Sequence, residues 1–142
     1  MNGTFFTPTQ VVLAEVEQER QTQERKWGEQ NHPDGTGREI DRVTAAACRA
    51  TCQRAAAAGK VSWRHILAEQ VYKAFGKPSP DMLRAELVQV AAVACAWVEA
   101  IDRRLAATPA VPAPAGPVTT TAVRRLYDFA DEPSEGAHHI DD

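Results

Sequence analysis

The chain has 142 residues and is 44 % apolar, enough for one domain with a core and too apolar for a disordered polymer. Its net charge of −3 leaves no basic footprint for a nucleic-acid polymer, and no apolar run approaches the roughly 20 residues that cross a membrane. The start, Met1-Asn-Gly-Thr-Phe-Phe6, lacks the basic residues and apolar stretch of a secretory signal, and three cysteines without one fit reduced thiols in a cytoplasmic protein.

Alanine is abundant and β-branched runs are short, which favours an all-α fold of four to five helices. Thr7-Pro-Thr-Gln10 has a cap, a proline suited to the first helical position and a capping-box glutamine, so a first helix should run from there to about Trp27. Val12, Leu13 and Val16 give it an apolar start; Glu15 to Lys26 is a solvated, mixed-charge face. Gly28 to Gly37, with Pro33-Asp34-Gly35, must be a loop. Trp27, Asn31, His32 and Asp34 make it either a cover for a ligand or a structured connector.

A second, alanine-rich helix is expected from about Glu39 to Ala58, stopped by Gly59. Cys48 and Cys52 lie one turn apart on it; small core-facing residues are favoured there over metal ligands, since no matching Cys/His pair is near. Ser62 caps a third helix, Val61 and Ile66 form a hydrophobic staple, and Gly76 ends it. Ser79 and Pro80 open a fourth helix to about Ala107. Leu83, Leu87, Val90, Ala94, Trp97 and Ile101 step by 4, 3, 4, 3 and 4 residues along it, a bundle seam. The short link makes helices three and four antiparallel neighbours. The domain should therefore cover residues 1–107. Residues 108–122 form a Pro-rich linker, and 123–142 an acidic, flexible tail whose segment 123–130 suits docking on a protein partner.

Chemistry concentrates on the third and fourth helices. Glu69 and Lys73 share one helical face, with His65 a turn earlier; Glu86 and Gln89 share another. Packed together, they place carboxylates across a cleft, an arrangement suited to a hard divalent cation such as magnesium and its phosphate ligands. The bland reading of the same residues is an interhelical salt-bridge cluster. Lys73 either contacts phosphate or pairs with Glu69.

The stretches Glu24 to Gly37, Trp63 to Phe75 and Leu83 to Trp97 resemble the MazG-like proteins of the all-α nucleoside triphosphate pyrophosphohydrolase superfamily, over about residues 11–105. The resemblance implies a helical bundle forming a homodimer or homotetramer. It also implies magnesium-assisted cleavage of a nucleoside triphosphate to monophosphate and pyrophosphate. Carried onto this chain, it makes Glu69 and Glu86 catalytic and gives the metal to Glu69, Glu86 and Gln89. Lys73 is the expected phosphate contact, and loop position alone adds Trp27, Asn31, His32 and Asp34 as candidate substrate contacts. The family's acidic motifs, E-x-x-E and E-x-x-D, are incomplete: Gln70, Lys73 and Gln89 stand where acids are expected. Three functional readings follow. The first is a divergent hydrolase using Glu69, Glu86 and a loop acid such as Asp34. The second is a nucleotide-binding protein without hydrolysis, with Lys73 in the cation's place. The third is a structural bundle with a partner-docking tail.

Overall fold

The computed structural model describes Gly3 and residues 5–108. The Pro-rich linker from Pro109 onward, the acidic tail and the docking segment 123–130 lie outside the described residues. Those residues hold four α-helices and no strand: α1 (Pro8–Trp27), α2 (Glu39–Ala57), α3 (Trp63–Phe75) and α4 (Pro80–Ala107).

Local chemistry sets the boundaries. The Thr7 hydroxyl accepts from the Gln10 N–H at 3.2 Å, and the Gln10 side chain accepts from the Thr7 N–H at 2.8 Å, so two free donors of the α1 start are satisfied together. α3 repeats the device with an imidazole in place of an amide. The His65 N–H donates to Ser62 Oγ at 3.4 Å, and the Ser62 N–H donates to His65 Nδ1 at 3.1 Å. Ser79 occupies the cap position of α4 but its side chain makes no capping bond; Pro80 in the first turn and Asp81 beside the helix dipole serve instead.

The helices pack in the order α2, α3, α4, α1, and among the described residues no other pair touches. Small and medium side chains close the contacts: Ala74, fully buried, with Val12, Leu83 and Cys95. Trp63 of α3 stacks on Trp97 of α4 with ring centroids 6.4 Å apart. No large side chain among the described residues is completely buried. The expected α4 seam is divided. Leu83 is buried and Trp97 and Glu86 meet α3, but Leu87 is 46 % exposed. A 4-3 spacing admits two overlapping stripes, and a carboxylate with cationic partners, not Leu87, takes the covered position.

The loop between α1 and α2 is tied to the α3–α4 turn. The Gly37 N–H donates to the Phe75 carbonyl at 2.8 Å and the Thr36 hydroxyl to the Lys77 carbonyl at 2.9 Å. Gly37 has φ +84°, and a Cβ there would lie 2.9 Å from Pro78 Cα, so both conformation and space require glycine. At the start of α2, buried Asp41 accepts two hydrogen bonds from Arg38, at 2.9 and 3.2 Å.

Candidate functional site at the junction of the second, third and fourth helices

The antiparallel α3–α4 pair brings Lys73, Lys77 and Glu86 together. Glu86 is 9 % exposed. Lys73 Nζ lies 3.3 Å from its Oε2 and Lys77 Nζ lies 3.7 Å from its Oε1, so each carboxylate oxygen faces an ammonium group. Lys73 engages by charge rather than by an aligned hydrogen bond: Glu86 Oε2 is buried without one, as is Gln70 Oε1 on the neighbouring helix. A carboxylate removed from water is tolerable only because opposite charge replaces the lost hydration.

On its other side, Lys73 lines a cleft of about 510 Å³ between α2 and α3, with Ala45, Ala46, Arg49, Gln53 and Glu69. The small alanines of α2 let the two helices approach while leaving room above them. Burial pushes the Cys52 thiol up from its ordinary range, and the neighbouring Glu69 carboxylate pushes it the same way. Glu69 lines this cleft opposite the α2 residues, whereas Glu86 is engaged by Lys73 and Lys77. Lys73 connects the two environments, and its ion pair is with Glu86 across the helices rather than with Glu69 on its own helix.

These residues do not fit a divalent ion. Both Glu86 oxygens face ammonium groups, Gln89 is exposed, and no three His, Cys, Asp or Glu side chains among the described residues gather as a metal site. The predicted loop residues lie elsewhere. Trp27, Asn31, His32 and Asp34 are all exposed, and none lines the cleft of Glu69 and Lys73. Trp27 carries the Lys26 ammonium 4.7 Å from its ring centroid, and Asn31 donates to Glu29 at 3.1 Å.

Three residues not singled out from the sequence belong to the site: Arg49, Gln53 and Lys77. Arg49 and Gln53 are four apart on α2, a polar pair on an otherwise small-residue helix face, and Lys77 repeats the charge of Lys73 four residues later. Those spacings were the available signals. Arg49 makes no ion pair among the described residues, so the cleft presents a guanidinium and an ammonium to any ligand that enters it. Protein-family models, curated proteins and solved structures all give no match to this chain.

Proposed function

We propose that the chain binds nucleoside triphosphates in the α2–α3 cleft without a resident magnesium ion and without hydrolysing them. The Lys73 ammonium stands where the resembled family holds its metal. The observation that carries this reading is the contact of Lys73 and Lys77 with the two oxygens of buried Glu86. An ammonium is a compact point charge suited to phosphate, and a guanidinium suits phosphate through paired donors. A phosphate chain entering between Arg49 and Lys73 draws Lys73 outward. Glu86 then keeps Lys77, so ligand binding leaves no stranded buried anion. Glu69, lining the same cleft, accepts hydrogen bonds from hydroxyl or amino groups of the ligand.

Thermal unfolding with a panel of ribo- and deoxynucleoside triphosphates in the presence of EDTA tests the reading. At least one nucleotide should raise the melting temperature; ligand at a hundred times its Kd adds about 2.7 kcal/mol. Lys73→Ala should remove the effect. No shift with any nucleotide overturns nucleotide binding. Magnesium-dependent release of pyrophosphate by the wild-type chain overturns the metal-free, non-hydrolytic part and establishes the hydrolase instead.

A further inference from the structure

A second cavity, of about 470 Å³, opens between α2 and α3 at the end where α3 begins. Ala47, Cys48 and Thr51 of α2 and Arg64, His65 and Ala68 of α3 line it. By helical periodicity Ala47 and Thr51 fall on the opposite side of α2 from Arg49 and Gln53, so this cavity is separate from the cleft of Lys73. Its chemistry differs as well. The floor is apolar: two alanine methyls and the Cys48 side chain, which packs as a small hydrophobe. Among the described residues that line the cavity, Arg64 carries the only fixed charge and none is acidic. Arg64 makes no ion pair among the described residues. The cap of α3 sets the tautomer of His65. The Ser62 N–H donates to Nδ1 at 3.1 Å, so in the neutral ring the proton sits on Nε2. The cavity therefore combines one guanidinium, one imidazole N–H and an apolar floor, whereas the cleft of Lys73 combines two cations with an acid.

We propose that this cavity binds a small organic anion with an apolar body, of the aromatic carboxylate class. Two parallel donors of the Arg64 guanidinium match the two carboxylate oxygens, and His65 Nε2 donates a further hydrogen bond. The ring of the ligand covers Ala47, Cys48 and Ala68, taking apolar surface out of water. The volume suits a ligand of about one or two rings. Charge decides against a polyphosphate here. One guanidinium and a neutral imidazole balance a single negative charge, and a hydrophilic sugar would leave the alanine floor without an apolar partner. The site is independent of nucleotide binding beside Lys73.

Cys48 reports occupancy from inside the cavity. Trypsin cuts after Arg42, Arg49 and Arg54, so Cys48 and Cys52 fall on separate peptides, Val43–Arg49 and Ala50–Arg54. The folded full chain is alkylated with iodoacetamide, digested, and read at each cysteine by mass spectrometry. With 2-naphthoate at about ten times its Kd, Cys48 should alkylate about tenfold more slowly, and Cys52 at its unliganded rate. The neutral 2-naphthamide keeps the rings and should bind about tenfold more weakly, and Arg64→Gln should weaken naphthoate by a similar factor. Ala47→Leu fills the cavity from an exposed position with a good helix former and should abolish the protection. Naphthoate should also raise the melting temperature of the wild type but not of Ala47→Leu. Naphthoate that neither slows Cys48 nor raises the melting temperature overturns the proposal. Protection or stabilisation that persists in Ala47→Leu overturns it too, since the anion then sits elsewhere. Displacement of naphthoate by adenosine triphosphate in EDTA places it in the cleft of Lys73 and overturns the separate site. Equal binding of the amide, or of naphthoate to Arg64→Gln, overturns the anionic class of the ligand.

Discussion

Glu86 has two ammonium partners and little water, and the consequences can be measured one residue at a time. Lys77→Met leaves Lys73 in place, and Lys73→Met leaves Lys77, so each single change should cost less than the pair. Changing both to Met leaves a buried carboxylate unpaired and should cost roughly 3–5 kcal/mol in urea unfolding. If the double change costs no more than the sum of two small effects, Glu86 is better solvated than its 12 % side-chain exposure implies. The presence of Lys73 among positions expected to be acidic was legible in the sequence; its partner was not. The i, i+4 rule favours Glu69, but Glu69 lines the cleft against α2, and the Lys73 ammonium pairs with Glu86 on α4 instead. Cys52 offers a second check. Its folded thiol is raised above the unfolded value, so folding favours the protonated form, and that contribution is lost as pH rises through the folded value. At pH 8, maleimide should therefore label Cys52 more slowly in the folded chain than in denaturant, and Glu69→Gln should speed the folded-state reaction. Equal rates in wild type and Glu69→Gln would remove Glu69 as a cause.

At the scale of elements, helix boundaries were the most readable feature, because caps and stops act through neighbouring residues alone. The starts at Pro8, Trp63 and Pro80 followed from local signals. Two details needed three dimensions. The imidazole of His65 completes the α3 capping box, and Ser79 caps α4 without its side chain. The division of the α4 seam was also beyond reach. A heptad spacing identifies apolar stripes but not which of two overlapping stripes a neighbour covers. The α1–α2 loop looked polar enough to cover a ligand; what needed three dimensions is that Thr36 and Gly37 tie its end to Lys77 and Phe75. This attachment predicts a contrast between glycines. Gly35→Ala meets only the left-handed backbone penalty, about 1–2 kcal/mol, because nothing lies within 4 Å of its Cβ position. Gly37→Ala adds the 2.9 Å approach to Pro78 Cα and should destabilise distinctly more. Equal melting temperatures for the two variants would show that the turn yields freely.

For the whole molecule, composition predicted helix, and no helix among the described residues is long and apolar enough to cross a bilayer. It did not reveal that four amphipathic helices would form an array with so little fully enclosed volume. That outcome depends on which faces meet. If the oligomer that the resemblance implies completes the packing, stability becomes a property of concentration. The melting temperature should climb as protein concentration is raised a hundredfold, and a constant value would argue for a self-sufficient single chain. The bond from Thr9 to Glu99 has a different consequence, in time rather than in structure. It joins residues 90 positions apart, whereas α3 and α4 are joined by a link of four residues, Gly76 to Ser79. Closing the longer loop carries the larger entropic penalty, so the α3–α4 hairpin should form early and α1 should dock late. Val12→Ala, which empties the buried contact of α1, should then speed unfolding while leaving the folding rate nearly unchanged. In native-state hydrogen exchange the amides of α1 should open before those of α3, so the N-terminal helix is the part of the chain that arrives last and departs first.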